Sequence, residues 1–281
     1  MTPDILVLGG GGLLGVAWMT GLLAGLEATG DVDATRCRAW VGTSAGSIVA
    51  ARLAAGRRPR PPVAGSPSVS DATAAPPRDA WANLGALSSL PVPSGLGAFA
   101  PIGAFIRAGW LAALPEGRVS IAGFARRVDR WGAAFDGRLH LCVVDQASGR
   151  RVVFGAPRAP SARVGQAVAA SCAIPGVYAP VRINGRRYVD GGIWSPTNAD
   201  AAPVRRGDRV LVLEPTAALL RGALRGAAAI EALALHGRGA RVQIVGPDAA
   251  AAPLMQRPMG PDRDGRVLEA GYRQGLVLAL S

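Results

Sequence analysis

At residues 40–49 the sequence reads Trp40-Val41-Gly42-Thr43-Ser44-Ala45-Gly46-Ser47-Ile48-Val49. An apolar run leads into a Gly-x-Ser-x-Gly turn, and an Ala-rich helical pattern follows. A serine on a sharp strand-to-helix turn has a strained backbone that exposes its hydroxyl. The helix directs the positive end of its dipole at Ser44, which favours the anion that forms when an acyl carbonyl is attacked. The stretch therefore predicts a nucleophilic Ser44, with Gly42 and Gly46 permitting close backbone approach.

A glycine-rich loop precedes this turn. The β-type run Ile5 to Leu8 ends in four glycines, and a helical pattern extends from Leu13 to about Ala28. A strand, glycine loop and helix in this order present backbone N–H groups to an anion. Gly10 to Gly15 also fits G-x-G-x-x-G, so a nucleotide-binding oxidoreductase is an alternative. That fold needs an acidic residue at the end of its second strand, whereas the second predicted strand, 38–41, is followed by Gly-Thr-Ser.

A candidate base follows a predicted hairpin. Asn184-Gly185 lies between two β-type runs, a strong hairpin signal, and the second run ends in Asp190-Gly191-Gly192. Asp-Gly is common turn chemistry. A carboxylate at a strand end can also accept a proton from a serine hydroxyl, so Asp190 is the candidate general base.

The two histidines are the competing bases. His140 lies in a predicted buried strand that ends at Asp145, and we expect structural roles for both residues. A Ser44–Asp190–His236 triad would have α/β-hydrolase order, but that fold places its nucleophile after several strands. His236 ends an Ala/Leu helix, where a cation suits the dipole. The sequence therefore favours a Ser44–Asp190 dyad.

Taken in order, the glycine loop, the Gly-Thr-Ser-Ala-Gly turn and Asp-Gly-Gly resemble the patatin-like phospholipase family. The resemblance implies a three-layer α/β/α fold with a central, mostly parallel sheet. It implies lipid-ester hydrolysis by Ser44 and Asp190 through an acyl-serine intermediate, without metal or cofactor, on a lipid or lysophospholipid substrate. It implies an oxyanion hole formed by the amides of Gly10, Gly11 and Gly12. The other glycines of the family motifs are Gly15, Gly42, Gly46, Gly191 and Gly192. The loop at 171–175 would pack beside the site. Leu14 stands where the family often has a basic residue.

The length of 281 residues and a hydrophobic content of 49% suit one large α/β domain over residues 1–281. Residues 57–78 are rich in Pro, Ala and Ser and are expected to form a loop or disordered insert. Residues 96–114 are expected to form one or two helices. Two further buried strands are predicted at 209–213 and 241–245.

The formal charge is +12, and all 31 basic residues are arginine. An arginine-rich surface attracts anionic lipid head groups, which predicts peripheral contact with anionic membranes and leaves a weakly active membrane-surface scaffold as a second alternative. No nucleic-acid-binding signature occurs, so nucleic acid is not expected as a partner. Cys37, Cys142 and Cys172 have no zinc-ligand spacing and are expected to be reduced thiols. Because no signal peptide or spanning segment is recognised, a cytoplasmic location is expected.

Overall fold

Eight strands form a mixed sheet at the centre of the molecule. The computed structural model describes residues 2–30, 32–62, 100–218, 225–256 and 263–280. The strands are β1 (Ile5–Leu8), β2 (Ala39–Thr43), β3 (Leu139–Asp145), β4 (Arg151–Phe154), β5 (Val181–Ile183), β6 (Arg186–Asp190), β7 (Arg209–Leu213) and β8 (Arg241–Val245). The sheet order is β5-β6-β3-β2-β1-β7-β8, with β4 also paired to β3. Strands β3, β2, β1, β7 and β8 are parallel, which confirms the predicted mostly parallel sheet.

Helices cover both sides of this sheet. They are α1 (Gly12–Ala28), α2 (Ala45–Ala54), α3 (Ala100–Ala113), α4 (Ala122–Asp129), α5 (Val164–Ser171), α6 (Arg225–Gly237), α7 (Ala251–Gln256) and α8 (Arg263–Val277). Alternate strand residues face opposite layers. One side of the sheet packs on α1, α2 and α5. On the other side, Leu235 of α6 packs in a cluster with Cys142, and Leu111 of α3 packs with Val144. The three-layer α/β/α arrangement is therefore confirmed.

Strand β3 organises the middle of the sheet because two strands share one of its edges. Val143 and Val144 pair with β4 on one edge. Strand β6 pairs with the same residues and must therefore lie on the opposite edge. That opposite edge is also used by β2, which pairs with residues 139–142. Thr43 lies opposite Cys142 and Asp190 lies opposite Val143, so the ends of β2 and β6 meet on adjacent residues of β3.

The C-terminal helix α8 packs closely along α1. A Cβ added at Gly25 would lie 2.2 Å from Tyr272 O, so this contact has no room for a side chain. The indole Nε1 of Trp18 donates a buried hydrogen bond of 2.9 Å to Gln274 Oε1. These contacts attach the last helix of the chain to the helix that follows the glycine loop.

Most local predictions agree with these elements. The hairpins β3–β4 and β5–β6 are confirmed. Of the predicted 57–78 loop, residues 57–62 have no helix or strand and 63–78 lie outside the described residues. The predicted helix at 96–114 corresponds to α3, and 96–99 also lie outside them. Strand β8 was predicted to be buried, and this is wrong: it is the last strand of the sheet path, and Ile244 is exposed.

Two further observations concern the cysteines and the membrane. All three cysteines are free thiols, as expected. No helix within the described ranges is both long enough and apolar enough to cross a bilayer.

Candidate active site

Ser44 lies on the turn between β2 and α2. Its backbone has φ 49° and ψ −117°, a conformation that a residue with a side chain adopts only under strain. The turn is held tightly, because a Cβ added at Gly46 would lie 1.8 Å from Leu8 O. The Gly46 amide donates to Gly9 O over 3.1 Å. The predicted strand–turn–helix around Ser44 is therefore present, with the strain that such a turn requires.

The side chains of Ser44 and Asp190 are in direct contact. Ser44 Oγ donates a hydrogen bond of 2.7 Å to Asp190 Oδ2. The Gly192 amide donates to Asp190 Oδ1, also over 2.7 Å, and fixes the orientation of the carboxyl group. The contact follows from the shared edge of β3, where the ends of β2 and β6 meet. The structure thus brings together the two residues that the sequence analysis singled out.

The electrostatics of Asp190 suit proton transfer near neutral pH. Only 5% of the residue is exposed. This burial raises the pKa of its carboxyl group to about 6, against the lowering effect of hydrogen bonds from Gly192 and Ser44. A base with a pKa just below neutrality is largely ionised at pH 7 and still holds a proton well enough to return it.

The end of α5 and the loop that follows it support the backbone of the nucleophile. The Ser44 amide donates to Ser171 Oγ over 2.9 Å, and Ser171 Oγ donates to Cys142 O over 2.8 Å. Cys172 Sγ lies 3.3 Å from Ser44 O as a donor. The Asp190 amide donates to Ala173 O over 3.0 Å. The structure therefore places the 171–175 loop against both members of the pair, as the resemblance implied.

The glycine loop passes beside the nucleophile. A Cβ added at Gly10 would lie 3.7 Å from the Cβ of Ser44. The Gly10 amide, however, donates to Pro196 O over 2.8 Å. This differs from the predicted oxyanion role of Gly10, since its N–H already has an acceptor. Helix α1 begins at Gly12, and the first N–H groups of a helix have no intrahelical acceptor. The amides of Gly11 and Gly12 are therefore the remaining predicted donors.

The other motif glycines permit close packing around the pair. A Cβ at Gly42 would lie 2.7 Å from Ser47 Cα, and one at Gly191 would lie 2.3 Å from Cys142 O. Gly15 faces Ala45 of α2, with 3.4 Å between its added Cβ and Ala45 Cβ. These glycines let the strands and helices approach each other near Ser44.

The sequence analysis missed a buried polar network behind the pair. Asn198 Nδ2 donates to Thr43 Oγ1 over 3.1 Å and to Gly191 O over 3.2 Å, joining the residue before the nucleophile to the residue after Asp190. Glu231 of α6 accepts from Thr197 Oγ1 over 2.5 Å and from the Ala199 amide over 2.7 Å. No local sequence signal marks these residues, because their partners are distant along the chain.

The histidines lie outside this arrangement. His236 ends α6, and its Nδ1 is 3.0 Å from Ala240 O. His140 is buried on β3, and burial lowers its pKa. Asp145 accepts hydrogen bonds from Ser148 and forms an ion pair with Arg186, a structural role as predicted.

The described residues were compared with what a metal site and a dinucleotide site each require. In the described part of the chain, no group of three or more His, Cys, Asp or Glu residues is placed to hold a metal ion. The dinucleotide alternative requires an acid at the end of β2, where the structure has Thr43 followed by Ser44. The Gly10 to Gly15 segment instead borders the serine turn.

A serine hydrogen-bonded to a buried carboxylate, on a strained turn between a strand and a helix, combines the parts that nucleophilic serine chemistry needs. The chain belongs to the patatin-like phospholipase family, whose model matches residues 6–203. Membership of this family implies lipid acyl hydrolase activity in general terms.

The solved structures that are similar to this chain include the following three. VipD from Legionella pneumophila is 16% identical with a TM-score of 0.45, and the match covers 97% of this chain and 66% of that one. The type III effector protein ExoU is 20% identical with a TM-score of 0.43, over 98% of this chain and 52% of that one. The ExoU–SpcU complex from Pseudomonas aeruginosa gives 22% identity and a TM-score of 0.44, over 98% and 51%. The chain thus spans about half to two thirds of their length. No curated protein matches.

Proposed function

We propose that the protein is a serine lipid acyl hydrolase that uses Ser44 as nucleophile and Asp190 as general base. The single observation that carries this proposal is the 2.7 Å hydrogen bond from Ser44 Oγ to the buried carboxylate of Asp190. A serine hydroxyl needs an adjacent base to become a nucleophile. Asp190 is correctly placed for this role, and a pKa of about 6 leaves its carboxyl group ionised at neutral pH.

The reaction proceeds in two halves. Ser44 Oγ attacks the ester carbonyl carbon while its proton passes to Asp190 Oδ2. The amides of Gly11 and Gly12 stabilise the resulting oxyanion. The intermediate then releases an alcohol, which takes the proton from Asp190, and leaves acyl-Ser44. In the second half, water attacks the acyl carbonyl, Asp190 accepts the proton of the water and returns it to Ser44 Oγ, and the carboxylic acid leaves.

The substrate class is proposed from the family. The chain matches the patatin-like phospholipase family over residues 6–203, and a lipid or lysophospholipid ester is the substrate class that this family suggests. Leu14 replaces the basic residue that the family often has in this loop, so a charged contact to the substrate or to a nearby carbonyl is missing at this position. At this position the loop therefore offers no cation to a substrate phosphate. We propose a cytoplasmic protein of one patatin-like domain that acts at membrane surfaces.

The test is intact-mass analysis after treatment with a fluorophosphonate probe. The wild-type protein should gain one adduct, and Ser44→Ala should gain none. Ser120→Ala, which removes an exposed serine hydroxyl, serves as the matched control and should label like wild type. Turnover of lysophospholipid and neutral lipid esters is then measured for the same three proteins. An adduct that persists in folded Ser44→Ala contradicts the proposal, as does a folded wild-type protein that never labels.

A further inference from the structure

Helix α6 has an inverted distribution of polar and apolar side chains. Its Glu231 points inward and accepts hydrogen bonds from Thr197 and Ala199. Ile230 and Leu233 point outward and are 55% and 69% exposed. A surface helix ordinarily buries its apolar residues and exposes its charged ones. The outer residues Ala229, Ile230, Leu233 and Ala234, all exposed, form what we call the α6 face.

The α6 face is additional to a complete core-facing side. Ala228, Ala232 and Leu235 of the same helix are buried, and Leu235 packs against the sheet. The helix is thus apolar on two sides, and the described residues cover only one of them. A helix that is apolar all round is normally buried on all sides. The other side is therefore a candidate contact surface.

The neighbouring helix α3 repeats the inversion. Helices α3 and α6 lie on the same side of the sheet, since they pack on Val144 and Cys142, which are two residues apart on β3. Arg107 of α3 is fully buried, its guanidinium carbon 3.9 Å from the ring centre of Trp194. Ile106, next to it, is 45% exposed. Helices α3 and α6 therefore each place a charge inward and a large apolar side chain outward.

A group of arginines surrounds the C-terminal end of α6. We call the exposed residues Arg205, Arg206, Arg238 and Arg241 the basic collar. They are held together by backbone contacts, because Gly207 N donates to Gly239 O over 2.8 Å and Arg241 N donates to Asp208 O over 2.8 Å. Asp208, the acid among them, is already paired with Arg38. The collar therefore keeps a net positive charge.

The two features together identify one class of partner. An apolar helix face next to clustered arginines is the combination found where helices lie in the interface of anionic membranes. A second copy of the chain fits less well, because it carries the same formal net charge of +12 and so does not complement the basic collar. We propose that the α6 face and the basic collar form the docking site of this protein on an anionic lipid surface. The choice of a lipid surface over an acidic protein rests on the proposed lipid substrate.

The experiment measures binding to vesicles without turnover, using the Ser44→Ala background. Vesicles of phosphatidylcholine alone are compared with vesicles of equal parts phosphatidylcholine and phosphatidylglycerol in a co-sedimentation assay. We expect binding to the anionic vesicles only. Adding Leu233→Ser should lower the partition coefficient by about tenfold or more, because one leucine side chain is withdrawn from the apolar phase. Adding Arg206→Ala should lower it about fivefold and weaken its salt dependence.

Matched control variants distinguish binding through the docking site from nonspecific adsorption to the vesicles. Val277→Ser changes an apolar residue that is 82% exposed on α8, and Arg118→Ala removes an exposed arginine elsewhere. Both should bind like the background protein. Because Leu233 is mostly exposed, its variant should also keep the melting temperature.

Three outcomes would overturn the proposal. The first is that the protein does not bind anionic vesicles, and the second is that Leu233→Ser and Val277→Ser bind them equally well. The third is that sedimentation velocity shows a dimer that Leu233→Ser abolishes. The third outcome would assign the α6 face to a second copy. Failure of the proposed function would be recognised separately. Fluorophosphonate labelling of the same variants with Ser44 restored depends on the dyad and not on vesicles.

Discussion

Replacing Asp190 by asparagine should stabilise the protein above pH 6 while it abolishes activity. The carboxyl pKa in the folded state, about 6, lies above the ordinary value of 3.8. A carboxyl group whose pKa is higher in the folded than in the unfolded protein contributes stability at pH values below its unfolded-state pKa. That contribution is lost as the pH rises through the folded-state pKa. A shift of about two pKa units at about 1.36 kcal/mol per unit amounts to about 3 kcal/mol. At pH 8 the ionised Asp190 therefore lowers the unfolding free energy of the wild-type protein by this amount, and the neutral asparagine of Asp190→Asn does not.

The asparagine side chain preserves the geometry of the site. Its Oδ1 can accept from the Gly192 amide, as the acid's Oδ1 does now. Its Nδ2 can donate to Ser44 Oγ, which reverses the direction of the present bond from Ser44 Oγ to Asp190 Oδ2. The buried group is then neutral at every pH, so no desolvation of a charge remains.

The assay is urea unfolding of wild type and Asp190→Asn at a series of pH values. The variant should match wild type below about pH 4 and gain stability between about pH 4 and 6. Above pH 6 the gain should stay near 3 kcal/mol. Comparison at each pH cancels the titration of all other groups. An advantage that does not change with pH, or no advantage at pH 8, would refute the claim that Asp190 is buried as a destabilised anion.

A pH profile and two substitutions provide further tests of the site. The kcat/KM for a soluble ester should rise with pH through about 6 and be about tenfold below its plateau near pH 5, since Asp190 must be ionised to act; a flat profile contradicts this. Asn198→Ala should lower the unfolding free energy by about 3 kcal/mol, because it leaves buried polar groups without partners, and should lower kcat more than it changes KM. Gly46→Ala should cost at least about 3 kcal/mol in urea unfolding, because its Cβ would overlap Leu8 O. Gly123→Ala, at a position with no neighbour within 4 Å, is the control and should fold normally.

The features that could be predicted from the sequence are those encoded locally. The turn at Ser44 is marked by glycines two residues on either side and by a change from a strand to a helix pattern. The β5–β6 hairpin is marked by Asn184-Gly185, and both residues have the positive φ that this turn requires. Local chemistry thus placed Ser44 and Asp190 each at the end of a strand.

The features that could not be predicted depend on contacts between distant segments. The Gly10 amide is occupied by Pro196 O, a partner 186 residues away along the chain. Asn198 reaches Thr43 across 155 residues. The exposure of β8 depends on its place in the sheet order, which its own composition does not contain. The sequence linked the two motifs only indirectly, because the histidines were poor candidates for the base and because the motifs together resemble a family. The shared edge of β3 supplies the physical reason for that link.

The junction on β3 also has a consequence for biosynthesis. Ser44 and Asp190 are 146 residues apart, and they meet only when β6 occupies the edge of β3 beyond the end of β2. At about 5–20 residues per second, the ribosome needs roughly 7 to 30 s to make the intervening chain. During that time Ser44 has no contact with Asp190, so the proposed mechanism predicts that its hydroxyl is not activated. On the proposed mechanism, the nascent chain cannot attack nearby lipid before the central sheet is complete.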